Sequence, residues 1–227
     1  MIGIIVAMQS EAKNLKTHIE NSIIKKISNV EFTIGKIYDK DVCVAVSGIG
    51  KVLAAITTEA MILNFKPDFI ISTGVAGGLD KDLRIGDVAV AEKLVQHDMD
   101  TTSLGDAKGL ISGVNKIFFE TDNEYTDLII NACKNHNINY KTGIIASGDT
   151  FINGSKGDII KHEFNAISCE MESASVSLVC YQNNVKFACF RAISDNSDEN
   201  SNNDYTENLS KACEISSIII KEILKIA

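Results

Sequence analysis

Val185-Lys186-Phe187-Ala188-Cys189-Phe190-Arg191-Ala192-Ile193 is short, apolar and rich in strand formers, and it runs into Ser194-Asp195-Asn196-Ser197-Asp198, a cluster of turn and cap residues. A near-continuous apolar run without period-2 alternation reads as a strand buried on both faces, as in a parallel sheet covered by helices. In such a sheet ligands sit beyond the carboxyl ends of the strands, which puts Asp195 where catalytic groups belong. A lone strand-end aspartate is more often a plain turn cap. The rest of the chain has to decide between the two.

The 227 residues are 45% hydrophobic, with one Pro and no Gly/Ser-rich run, so the chain is expected to form a single domain over residues 1–227. A net charge of −8 with dispersed lysines argues against nucleic acid and against an anionic membrane surface. Small-molecule chemistry is the better fit. The stretch Met1-Ile2-Gly3-Ile4-Ile5-Val6-Ala7-Met8-Gln9-Ser10-Glu11 lacks a basic start and is cut by Glu11, so it reads as a first buried strand rather than a signal peptide or membrane span. Cys43, Cys133, Cys169, Cys180, Cys189 and Cys213 include no C-x-x-C pair and no His at metal-ligand spacing. Buried, reduced thiols, a cytoplasmic location and no metal or cofactor are expected.

Apolar strands are expected at Ile2–Val6, Asp68–Thr73, Asp87–Glu92, Thr142–Ser147, Ala166–Cys169 and Val185–Ile193. Val30–Ile37 and Val42–Ser47 look like a hairpin around Tyr38-Asp39-Lys40-Asp41. Helical patterns cover Ser10 to about Ile19, Val52–Phe65, Glu124–Asn135, Glu172–Tyr181 and Tyr205–Ile226, the last with one buried stripe. This alternation predicts an α/β fold: a mixed, mostly parallel central sheet with helices on both faces. Asp195 to Asp204 is unusually polar and reads as a mobile loop.

Each expected strand ends in polar or glycine-rich sequence. The first leads to Met8 and Glu11; others lead to Ser47-Gly48-Ile49-Gly50-Lys51, Gly74-Val75-Ala76-Gly77-Gly78, Ser147-Gly148-Asp149-Thr150-Phe151-Ile152-Asn153-Gly154 and Glu170-Met171-Glu172. Carboxylates at several strand ends of one sheet would share a crevice, where like charges raise at least one pKa and allow acid and base chemistry together. Gly48-x-Gly50-Lys51 has neither P-loop spacing nor a third glycine, and reads as a tight strand-to-helix turn. The second glycine segment serves either close backbone approach to a ligand or turn geometry.

Taken in order, these motifs resemble the 5′-methylthioadenosine/S-adenosylhomocysteine nucleosidases of the purine nucleoside phosphorylase superfamily, along nearly the whole chain. The resemblance implies hydrolysis of an N-glycosidic bond, releasing adenine and a 5-thioribose product, in methionine salvage and the recycling of S-adenosylmethionine by-products. It implies that Asp195 protonates adenine N7, that Glu11 activates water, and that Arg191 helps hold that water. By the same resemblance Glu172 binds the ribose hydroxyls, Phe151 stacks on adenine, the Ile152 backbone reads its edge, and Met171 lies against the ribose. Met8, Ile49 and Tyr205 would line the alkylthio pocket, and Gly77 and Ser194 complete the substrate-binding set. Tyr205 stands where relatives carry Phe, adding a hydroxyl near the sulfur substituent. Val75 replaces a serine that helps bind water in relatives, which leaves Arg191 and Glu11 to hold it and points to slower hydrolysis. A homodimer is implied too, with residues at Thr101, Leu104 and Ser112 closing the partner's pocket.

A phosphorylase is the nearest alternative, but phosphate needs clustered cationic donors and the chain has only Arg84 and Arg191 as arginines. A futalosine-type nucleosidase shares the adenine and ribose and differs at the 5′ end. A non-catalytic adenosine-binding module would not need both Glu11 and Asp195, whose joint burial is costly.

Overall fold

The computed structural model describes residues 1–226. In chain order the elements are β1 (Ile2–Val6), α1 (Gln9–Lys16), β2 (Glu20–Ile27), β3 (Val30–Ile37), β4 (Lys40–Val46), α2 (Lys51–Phe65), β5 (Phe69–Ser72), β6 (Val75–Gly78) and β7 (Val88–Gln96). A short 3-10 turn, Thr102–Leu104, precedes β8 (Phe118–Glu120), α3 (Asn123–Asn135), β9 (Tyr140–Ser147), α4 (Lys156–Phe164), β10 (Ala166–Glu170), α5 (Ser173–Gln182), β11 (Lys186–Asp195) and α6 (Ser201–Ile226).

The strands form one mixed sheet in the order β2-β3-β4-β1-β5-β11-β6-β10-β9-β7-β8, with a further pairing of β11 to β7. Parallel ladders join β4–β1–β5–β11–β6 and β10–β9–β7, while β2–β3–β4, β6–β10, β7–β8 and β7–β11 are antiparallel. The extra pairing matters most. It closes β11, β6, β10, β9 and β7 into a ring, so half of what the sequence suggests as an open sheet curls into a barrel-like unit. β11 is the shared strand: Lys186–Cys189 lie beside β5, Phe190–Ala192 beside β7, and Ala192–Asp195 beside β6.

Side chains along the buried strands divide between two cores. Ile5, Cys43, Ala45 and Ile70 pack with α2 and α5 residues such as Met61 and Val176, whereas Ile2, Ile4, Val44 and Ile71 pack with α1, α3 and α6 residues such as Leu15, Ile129 and Ile220. Alternate residues of a strand point to opposite sides, so a continuous apolar run feeds both cores.

Several expectations change. The hairpin is present, its turn residues Tyr38 and Asp39 both at positive φ, but β2 extends it to three strands. β2 escaped notice because it is an exposed edge with little apolar periodicity. The glycine segment is strand β6 rather than a loop: Gly77 and Gly78 carry no strand propensity, and their pairing with β10 and β11 comes from the tertiary fold. β8 and α4 also go beyond the sequence reading. The polar segment is only partly loop, since Asp195 belongs to β11 and residues from Ser201 onward form the start of α6. No helix among the described residues is long and apolar enough to cross a membrane.

Candidate active site

One pocket opens at the carboxyl ends of β1, β10 and β11, walled on one side by the loop after β9 and on another by α6. Met8, Glu11, Ile49, Gly77, Phe151 and Ile152 line it, as do Met171, Glu172, Ser194, Asp195 and Tyr205. Arg191 and Leu104 do not.

Glu11 reaches the pocket because it is the third residue of α1. Its carboxylate turns back to accept the backbone N–H of Met8, the residue before the helix, at 2.8 Å, as a capping glutamate does. Ala7 N–H donates to the same oxygen at 2.9 Å, and Val75 N–H to the other at 3.0 Å. Burial raises the Glu11 pKa, and the nearby Arg191 guanidinium and these N–H groups oppose that rise. Space here is tight: a Cβ at Gly74, whose φ is +149°, would lie 2.3 Å from Glu11 Oε1 and 2.4 Å from Arg191 Nη1. Gly74 is therefore required for the close packing of carboxylate and guanidinium.

Asp195 reaches the pocket through a bulge. Ile193 pairs with Ala76 and Asp195 with Gly77, so Ser194 is one residue extra on β11. The bulge lets two consecutive side chains, Ser194 and Asp195, line the same pocket. Ser194 Oγ donates to Asp195 Oδ2 at 2.8 Å and Ser197 N–H to Oδ1 at 3.0 Å. Burial pushes the Asp195 pKa up, the hydrogen bonds lower it, and Asp204 adds to the rise. A Cβ at Gly77 would lie 2.1 Å from Ser197 Oγ and 2.9 Å from Asp195 Oδ1. The missing side chain of Gly77 thus makes room for Ser197 and Asp195.

Glu172 sits at the N-terminus of α5 and accepts the Gly50 N–H at 2.9 Å, which ties it to the turn before α2. Burial is the main cause and neighbouring Glu170 the next in pushing its pKa up to about 7. Gly48 and Gly50 have φ of +88° and +100°. They form a turn rather than a phosphate cradle, and Lys51 Nζ lies 2.5 Å from Asp98 and 3.7 Å from Asp149. Phe151 meets Tyr205 edge-on, ring centroids 5.7 Å apart, and Tyr205 Oη donates to Met8 Sδ at 3.2 Å.

Two of the expected site residues lie outside this chain's own pocket wall. Arg191 is 1% exposed and does not line the pocket. Its guanidinium donates to Thr73 O, Ser72 Oγ, Ser173 Oγ and, at 2.5 Å, Glu170 Oε2, so it braces the pocket wall from behind. Breaking such a buried pair by removing one partner costs about 3–5 kcal/mol. Leu104 is 82% exposed on the 3-10 turn, outside this chain's own pocket. Sequence reasoning assigned no role to Glu170 or Ser197. An Asp-x-Ser turn signal marks Ser197; the spacing of Glu170 and Glu172 suggests one strand face, but the chain turns into α5 between them.

Comparison with known proteins follows from this geometry. The family model described as the phosphorylase superfamily matches residues 1–225. The 5′-methylthioadenosine/S-adenosylhomocysteine nucleosidase of Staphylococcus carnosus is 39% identical over 227 residues, covering 99% of each chain. Among solved structures, the nucleosidase of the same name from Neisseria meningitidis, in complex with methylthio-immucillin-A, aligns with TM-score 0.96 and 32% identity over 100% of this chain and 99% of that one. The futalosine hydrolase of Helicobacter pylori aligns with TM-score 0.95 and 36% identity over 100% and 97%.

Proposed function

The chain belongs to the phosphorylase superfamily, and we propose that it hydrolyses the N-glycosidic bond of 5′-methylthioadenosine and S-adenosylhomocysteine, releasing adenine and a 5-thioribose. One observation carries the choice of water over phosphate: among the described residues the pocket wall holds Glu11, Glu170, Glu172 and Asp195 and no lysine, arginine or histidine. A phosphate dianion entering such a site would meet carboxylates and no cationic fork.

In this mechanism Asp195 donates its proton to purine N7, so that the base departs neutral. Ser194 and Ser197 aim its carboxyl group. Positive charge gathers on the ribose as the bond stretches, and Glu11 and Glu172 stabilise that state more than the ground state. Glu11 takes the proton of the attacking water, and Glu172 binds the ribose hydroxyls. Phe151 covers the base, Ile152 meets its edge through the backbone, Met171 lies under the ribose, and Met8, Ile49 and Tyr205 surround the 5′ substituent. With Val75 in place of a hydroxyl and Arg191 behind the wall, Glu11 holds the water alone. The whole of residues 1–227 acts as one nucleosidase unit in the cytoplasm, in keeping with six free, buried cysteines.

The test is adenine release in phosphate-free buffer from methylthioadenosine, S-adenosylhomocysteine, 5′-deoxyadenosine and a futalosine-type nucleoside. Adenine together with a reducing sugar is expected; a requirement for phosphate with a sugar 1-phosphate as product would show a phosphorylase instead. Preference for the futalosine type would move the assignment to that branch, which the Helicobacter pylori relative represents.

A homodimer belongs to the same proposal. α2 is apolar nearly all round, with Val52 68% exposed and Leu53, Ile56 and Leu63 also at the surface. A helix of that kind is normally covered. Leu104, exposed on its own chain, would close the partner's 5′ pocket. Val52→Glu is expected to shift sedimentation from dimer toward monomer; a wild-type chain that sediments as a monomer would end this part of the proposal.

A further inference from the structure

A buried cluster runs from the pocket wall into the protein behind it, and the mechanism gives it no part. Its centre is Glu170, the last residue of β10, with a side chain 2% exposed. Its carboxylate accepts from Arg191 Nη2 at 2.5 Å, from Ser173 Oγ at 3.0 Å, from the backbone N–H groups of Glu172 and Ser173, and from Ser147 Oγ. Ser147 Oγ in turn accepts the Ala174 N–H at 2.8 Å. Glu170 thus joins the ends of β9 and β10 and the middle of β11 to the first turn of α5.

Two of these links lead to pocket carboxylates. The Glu172 N–H is held by Glu170, which sets where the chain leaves β10 and where the Glu172 side chain starts. Arg191, held by Glu170, donates to Thr73 O at 3.0 Å; two residues on, Val75 N–H donates to Glu11. We propose that Glu170 is a positioning residue for glycosidic cleavage, fixing Arg191 and α5 so that Glu11 and Glu172 are held in place and kept from drawing the guanidinium's charge to themselves. The inference rests on the nucleosidase reading.

The charge balance gives this a distinctive signature. Glu11, Glu170 and Glu172 share one cation, Arg191. The other titratable groups around them are His97 just after β7, Cys169 on β10, Cys189 and Asp195 on β11, and Tyr205 and Cys213 on α6. Removing the charge of Glu170 takes away a negative neighbour and frees the guanidinium, and both changes favour ionised Glu11 and Glu172.

The experiment compares wild type, Glu170→Gln and Glu170→Asp by kcat/KM for adenine release as a function of pH and by thermal unfolding across the same range. Glu170→Gln is expected to lose about 10- to 100-fold in kcat/KM, as supporting residues around a site typically do, with the acid limb of the profile moved to lower pH. Glu170→Asp keeps the charge and withdraws the carboxylate, so its rate falls while the acid limb stays. A slower Glu170→Gln with an unmoved limb would reduce Glu170 to a structural residue and overturn the proposal. If Glu170→Gln does not fold, an undiminished Glu170→Asp overturns it equally.

Should the wild type release no adenine, the nucleosidase reading fails on its own, and the unfolding data still judge the positioning role. A raised carboxyl pKa means that ionisation costs folded-state stability as pH rises, up to about 7 for Glu172. In Glu170→Gln that loss must be complete at lower pH; an unchanged course refutes the role.

Discussion

Asp195→Asn is expected to lower kcat/KM for adenine release by at least ~10²-fold, the scale of a positioned general acid, and to raise the unfolding temperature at neutral pH. The amide keeps the shape and can still accept from Ser197 N–H through its oxygen. It has no proton to give to N7. The stability gain follows from linkage: burial lifts the Asp195 pKa above 3.8, so its ionisation costs folded-state stability, and that cost grows as pH rises from 3.8 through the folded value. Asparagine removes the cost. The gain should vanish in acid, where wild-type Asp195 is protonated in both states. Calorimetry and initial rates on the same preparations check both parts, and undiminished turnover would remove Asp195 from the acid's role.

Glu11→Gln is expected to be the more damaging substitution, by about 10³-fold within the range for acid–base residues. Both oxygens of Glu11 accept backbone N–H groups, from Ala7 and Met8 on one and Val75 on the other. A glutamine has one oxygen and one NH₂, so at least one donor would face another donor. The base is lost, and its seat is disturbed. The pH profile separates the two carboxyls. Glu11 works ionised, and its raised pKa is restrained by Arg191 and three N–H donors. Asp195 works protonated, has no cation among the causes acting on it, and has Asp204 adding to its rise. A base that works ionised and an acid that works protonated give kcat/KM a bell-shaped profile, with Glu11 on the acid limb and Asp195 on the alkaline limb. Glu11→Gln should flatten the acid limb of whatever activity remains. Persistence of that limb would assign it to another group.

Much of this site is legible in the sequence because its residues come in local motifs at strand ends. Glu11 follows the first strand by five residues, and Phe151 and Glu172 likewise sit just past apolar runs. What local patterning does not carry is pairing between distant segments. The β11–β7 ladder that closes half the sheet joins residues about a hundred apart in sequence, and nothing in either strand announces it. The Ser194 bulge is set by β6, a strand whose glycines look like a loop. The family resemblance makes Arg191 a pocket residue, yet its side chain donates to Glu170, Ser72 Oγ and Thr73 O behind the wall, partners far away in sequence. Polar composition likewise suggests a loop up to Asp204, whereas tertiary packing carries α6 back to Ser201.

That last difference has a kinetic consequence. Tyr205 is carried by the opening turns of a 26-residue helix, and between Ser201 and Ala212 no residue of α6 is fully buried. Asn202, Asn203 and Asp204 are weak helix formers. Such a helix end frays on the helix–coil timescale of about 0.1–1 μs, whereas enzymes of this kind turn over at roughly 1–10³ s⁻¹. The wall over the 5′ substituent is therefore expected to re-form at least about 10³ times during each catalytic cycle. Discrimination among 5′ tails is then an equilibrium choice made by the formed wall, and not a decision taken by a gate that shuts once per substrate.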